Sequence, residues 1–261
     1  MKKILIGIIF SLVSCLVYSQ QRVIEDSLVY NDPTVAKQSK WVKGASIDYN
    51  YTQKDGVGYD SQGGAHYQTT NSSTVGFSAF VGYGNFTLLA TYAPEKYSTT
   101  VPPSGNLSST TNINGSTDWY EVIGRYLITD LQTKYFVPYV LGGFAYVKDR
   151  QDMDVYVNGV REVNKTKISG PGIGLGAIIP LTKNYGLRAD IREYFASATT
   201  SSNVISAFNR TREVQYIRST VTGYYNISDN INLQLGLQSS FIVNQVKSTG
   251  TGGYLKLGYT F

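Results

Sequence analysis

The chain has 261 residues, including 22 Tyr and 26 Gly, with 16% charged residues and a formal net charge of +5. That balance falls to +3 once Lys2 and Lys3 leave with a leader, too mild to argue for nucleic-acid binding. A single Cys excludes a disulfide framework, and no run of 18 apolar residues is present to form a membrane-spanning helix.

The amino terminus reads as a secretory signal peptide over residues 1–19. Lys2-Lys3 is the positive region, Ile4 to Leu16 the apolar core, and Ser19 the small residue before cleavage. Leu12-Val13-Ser14-Cys15 allows a second reading, in which Cys15 is lipidated after cleavage before it. Residues 20–40 are polar, carry Pro33 and mixed charges, and read as a periplasmic lead-in.

From Trp41 the chain alternates with period two, the signature of strands whose successive side chains face opposite sides. In residues 41–53, Trp41, Ala45, Ile47, Tyr49 and Tyr51 oppose Gly44, Ser46, Asp48, Asn50 and Thr52. Similar runs follow at 74–83, 85–94, 118–128, 135–147, 167–180, 186–197, 213–226, 231–243 and 252–261. The spacing predicts an all-β fold: a transmembrane antiparallel up-and-down β-barrel of ten strands, with eight as the alternative. The odd junctions (54–72, 95–117, 148–166, 198–212 and 244–251) are long and polar; the even ones are short. Long loops outside and short turns inside place both termini in the periplasm of a Gram-negative outer membrane. In the final run Leu255, Leu257, Tyr259 and Phe261 share one face. An apolar face ending on an aromatic residue suits a closing strand against lipid, and Leu257, Tyr259 and Phe261 are the expected signal to the barrel-assembly machinery.

At these residues the chain resembles a known family. Val137-Pro138-Tyr139-Val140-Leu141-Gly142-Gly143, Gly172-Ile173-Gly174-Leu175-Gly176, Leu181-Thr182 leading to residues 187–194, and terminal Tyr259-Thr260-Phe261 are similar to the small porin-like outer-membrane β-barrel family. That family includes relatives of the outer-membrane protein A transmembrane domain. The likeness covers most of residues 41–261. The Gln20-Gln21 junction and the many Tyr and Asn residues are similar to chains from the Bacteroidetes group.

The charges fall on the expected inward face, because a charge facing lipid near mid-bilayer costs about 2–4 kcal/mol. Arg188, Asp190 and Arg192 alternate with Leu187, Ala189 and Ile191, beside a glycine face of Gly172, Gly174 and Gly176 that leaves room for long side chains. Glu121 and Arg125 share a face. Asp48 and Lys256 lie on the first and last strands and approach across the closing seam. Two readings compete for this set: an ion-pair network filling a narrow lumen, or a constriction that selects ions or small solutes by charge. Ten strands are barely wider than a barrel that side chains can fill, which argues against a wide diffusion pore.

Catalytic residues are not expected. His66 is the only histidine, near Asp60 and Ser61, and no Asp flanks it at the spacing a loop-sited omptin-like protease needs. Asp149, Asp152 and Asp154 fit either a hard-cation site or a solvated loop; no metal or cofactor is expected. Trp41, Trp119, Tyr224, Tyr225 and Tyr259 are expected in the aromatic belts at the membrane interfaces. The long loops, above all the Ser/Thr/Asn-rich residues 97–117, are the expected surface-interaction part. The remaining partners are outer-membrane lipid and, on the channel reading, small solutes.

Overall fold

Every strand offers one apolar and one polar face, so the sheet has no free-edge solution in lipid and must close on itself. The computed structural model describes residues 38–59, 65–101, 111–133, 135–157, 159–182, 184–203, 209–243 and 249–261. These form ten strands: β1 (Gln38–Tyr59), β2 (Ala65–Gly84), β3 (Phe86–Val101), β4 (Thr111–Leu127), β5 (Val137–Val157), β6 (Val160–Pro180), β7 (Tyr185–Ser202), β8 (Arg210–Asn226), β9 (Ile231–Ile242) and β10 (Thr249–Thr260). Each pairs antiparallel with its neighbours in the chain, and β1 closes on β10. The barrel begins at Gln38 rather than Trp41. The leader with Cys15, the lead-in through residue 37, and Asp60 and Ser61 lie outside the described residues.

Short turns gather at one end, hereafter the turn end. Gly84 takes φ +59° between β2 and β3, a conformation open to glycine without a Cβ penalty. A single 3-10 turn, Thr129–Leu131, leads toward β5. The β6–β7 and β8–β9 turns close through Leu181 N to Tyr185 O (3.1 Å) and Ile227 N to Ile231 O (2.9 Å). At the opposite, loop end the strands run well past their expected limits. β1 has 22 residues and β5 and β6 have 21 each, whereas β9 and β10 stop at 12. A strand of 21 or 22 residues greatly exceeds the roughly 9–11 that a bilayer requires, so the sheet stands above the apolar band, highest at β1–β2 and β5–β6 and lowest at β9–β10.

Much of what reads as loop in 54–72, 95–117, 148–166 and 198–212 is therefore ladder. Residues 95–101 of β3, for example, pair with 111–117 of β4. Above the bilayer both faces meet water, both become polar, and the alternation disappears while the backbone pairing continues.

The outer face is apolar through the middle of the wall, with Leu235, Leu237 and Ile173 more than 60% exposed. Tyr83, Tyr126, Tyr185, Tyr225 and Tyr259 rim its turn end; Tyr92, Tyr120 and Tyr146 stack in sequence near the other edge, at 5.0 and 6.1 Å between rings. Trp41, Tyr225 and Tyr259 take the expected outward positions. Trp119 and Tyr224 do not: each has the strand parity of inward residues, Trp119 with Glu121 and Arg125, and Tyr224 with Thr220 and Thr222. Both project into the lumen.

Candidate functional site

The inward positions of ten strands converge on a lumen narrow enough for side chains to meet across it. At the turn end it is filled by Ile123, Leu127, Val137, Tyr139, Leu141, Ile178 and Tyr224, all buried and in one cluster. These close-packed groups, contributed by β4, β5, β6 and β8, are the apolar floor on that side of the lumen.

The charges lie among and beyond these groups: Arg125 stands between Ile123 and Leu127 on β4, opposite Leu141, and Arg188 is the register partner of Ile178. Arg192 on β7 is the hub: its Nε donates to Asp190 Oδ1 at 2.8 Å, and its Nη1 donates to both oxygens of Glu121 on β4 at 3.2 Å. The carboxylates are held further by hydroxyls. Tyr194 donates to Glu121, and Tyr139 donates to Asp190 Oδ2 at 3.2 Å. Arg218 on β8 stands 3.9 Å from Glu121, donates to Gln238 Oε1 at 2.6 Å, and lies over the Trp119 ring at 5.5 Å. Arg188 donates to Gln234, whose amide donates to Asn232. The Arg125 guanidinium lies over the Tyr139 ring at 5.1 Å. Buried charges need this degree of partnering, because an ion taken from water without compensation costs several kcal/mol.

Glycines make the crossing possible. Gly174 faces Arg192 and Gly176 faces Asp190 in the β6–β7 register. A Cβ at Gly176 would stand 2.5 Å from the Tyr139 ring, and one at Gly172 would stand 2.5 Å from the Tyr194 ring. The missing side chains are the space through which Tyr139 reaches over β6 to Asp190.

At the seam, Asp48 and Lys256 are direct register partners and meet at 3.4 Å. Ser78 joins them, donating to Asp48 Oδ2 at 2.7 Å and accepting from Lys256 at 3.2 Å. The seven charged residues expected in the lumen thus all face inward, but in two clusters rather than one. Glu121 is answered by Arg192 and Arg218 from other strands across the lumen. Arg218, Tyr139 and Tyr194 are missing from the expected set, although inward parity on β8, β5 and β7 marks each.

Between the network and the loop end lies a cavity of about 320 Å³. Its charged lining is Arg125, Arg188, Arg192, Arg218 and Lys256 against Asp48, Glu95 and Glu121, and Trp119, Tyr216 and Tyr254 supply aromatic wall.

The other singled-out residues stand apart. Asp149 takes hydrogen bonds from Thr117 (2.7 Å) and Tyr97 (2.9 Å), while Asp152, of opposite strand parity, pairs with Arg150 at 3.1 Å. They do not converge on a cation; the Asp154 side chain lies outside the described residues. His66 sits on β2 opposite Gly58, with β3 and β4 between it and the β5 aspartates. The outward faces of Leu257, Tyr259 and Phe261 are half or more exposed, with the last two rings 5.5 Å apart.

No protein-family model matches the sequence, and no curated protein matches it. Solved structures do resemble the fold. The outer-membrane protease OmpT from Escherichia coli aligns at 9% identity and a TM-score of 0.52, covering 87% of this chain and 99% of that one. The translocator domain of the autotransporter NalP from Neisseria meningitidis aligns at 14% identity and 0.45, over 84% and 88%. An outer membrane channel from Pseudomonas putida F1 aligns at 12% and 0.45, over 89% and 100%. At such identities the likeness concerns fold alone: the architecture is that of a ten-stranded outer-membrane β-barrel.

Proposed function

We propose that this chain is a non-conducting outer-membrane barrel of a Gram-negative cell, with a structural and surface-interaction role carried by the loop end. The single observation behind this reading is the floor. Seven buried side chains of β4, β5, β6 and β8 pack together at the turn end of the lumen, and the charges among and beyond them are tied to one another. A conducting pore needs a continuous wet path past its charged ring. The turn end and both termini face the periplasm, since short turns take that side in such barrels. The strand extensions then stand on the cell exterior, polar on both faces, as the part available to partners. Leu257, Tyr259 and Phe261 act as the assembly signal during insertion. The quoted motifs and the Gln20-Gln21 junction support a Bacteroidetes-like relative of the outer-membrane protein A transmembrane domain. The separation of His66 from the β5 aspartates supports a non-enzymatic reading. Single-channel recording of the refolded protein in a planar bilayer tests this: a silent, heat-resistant barrel is expected. Ion-selective steps that change on Arg188→Ala or Arg192→Ala would replace it with the charge-lined channel.

A further inference from the structure

The cavity above the floor is asymmetric in what it offers a guest. Its lining carries five cationic side chains against three carboxylates, and with Asp190, bound to Arg192, counted in, the excess is one positive charge among the described residues. The closest ion pairs consume Arg192, on Glu121 and Asp190, and Lys256, on Asp48. Arg218 is held differently: its nearest carboxylate stands at 3.9 Å, its short hydrogen bond goes to the neutral Gln238, and its face rests on Trp119. A guanidinium can only donate, and in a cavity with surplus positive charge it calls for an acceptor bearing negative charge. The walls add a second requirement. Tyr216 and Tyr254 line the cavity with Trp119, as does Leu89, so the guest also has an apolar body to bury. A volume of about 320 Å³ lies at the small end of ligand pockets.

We propose that this cavity is a binding site for a small organic acid, an apolar body carrying one carboxylate or phosphate, with Arg218 as the group that receives the anion. Arg218 matches the flat, two-oxygen geometry of such a head. The inference rests on the closed-floor reading, because a through-pore would pass the anion rather than hold it.

The chain has two tryptophans, and Trp41 faces outward at 71% exposure, so a Trp41→Phe barrel reports on Trp119 alone. Benzoate and phenyl phosphate are titrated into the refolded protein, with benzylamine as the cationic control, and the heats are recorded in parallel. Saturable fluorescence change with either anion, none with benzylamine, and at least a tenfold weakening on Arg218→Gln is the expected result. Arg218→Lys keeps the charge and loses the two-pronged fork; it is expected to weaken binding severalfold while the barrel still resists heat. No saturable binding by either anion up to about 10 mM, or equal binding by benzylamine, or binding indifferent to Arg218→Gln overturns the proposal. Conductance of the same preparation separates the two readings: anion-selective steps defeat the closed floor, whereas a silent barrel that binds neither anion defeats the site alone.

Discussion

Arg192→Ala removes the hub of the lumen. The guanidinium contacts Asp190 at 2.8 Å and Glu121 at 3.2 Å, and those side chains are only 1% and 4% exposed. At an effective dielectric of about 20, each such contact carries roughly 5 kcal/mol of gross attraction, most of it offset by desolvation of the ions. Truncation leaves the desolvation in place and removes the attraction. Glu121 keeps Tyr194 and the more distant Arg218; Asp190 keeps Tyr139. Breaking a buried pair in this way costs about 3–5 kcal/mol. The measurement is urea unfolding in lipid vesicles, followed by tryptophan emission and by the gel shift between folded and unfolded barrel. The companion removes Arg192 together with its nearest carboxylate: Arg192→Met with Asp190→Asn, which leaves Glu121 to Arg218 and Tyr194. It should recover part of the loss, since Asp190 is then no longer a buried ion stripped of its nearest cation. A loss below about 1 kcal/mol for Arg192→Ala would show that water reaches the network and screens it. A double variant as unstable as Arg192→Ala would show that the side chains matter as volume, not as ions. Either result refutes the argument.

Three further outcomes follow from the geometry. Gly176→Ala places a Cβ 2.5 Å from the Tyr139 ring and from the Ala189 carbonyl, so it should cost about 1–3 kcal/mol, whereas Gly142→Ala, with nothing within 4 Å, should be close to neutral in the same assay. Leu235→Arg puts a charge on the lipid face and should lose roughly 2–4 kcal/mol in vesicles if Leu235 lies near mid-bilayer; an unchanged midpoint would displace β9 from the membrane centre. Tyr139→Ala combined with Ile178→Ala opens the floor, and bilayer recording should show steps where the parent is silent; continued silence would place the barrier elsewhere in the lumen.

The alternation that begins at Trp41 was enough to read ten strands, because lipid outside and polar side chains inside impose opposite demands on neighbouring residues. The same logic hides the strand extensions. At Glu95 to Val101 both faces are wet, so nothing in the pattern distinguishes ladder from loop. It also hides the floor: inward Ile123, Leu127, Val137 and Ile178 look like any other apolar strand residues, since at the turn end both faces are apolar. Trp119 and Tyr224 show the reverse case, in which an aromatic prior overrode a parity that was legible. The inward charges were readable for the same reason as the strands, yet their partners were not. Glu121 meets Arg192 through a contact spanning 71 residues of sequence, and Tyr139 reaches Asp190 only because Gly176 is empty between them. Such pairs depend on register and shear, quantities that no single strand carries.

The seam pair has a consequence for how the ring is completed. Asp48 is buried against β2, where Ser78 can hold it, but its cation arrives on the last strand to be made. A nine-stranded intermediate therefore has two open edges, one of them carrying Asp48 without its register partner Lys256. Adding β10 removes both defects at once, since the register that zips β1 to β10 sets Lys256 directly opposite Asp48. Ring closure and charge neutralisation are one event, so an unfinished barrel is marked electrically as well as by its edges, and only the completed circle is rid of both.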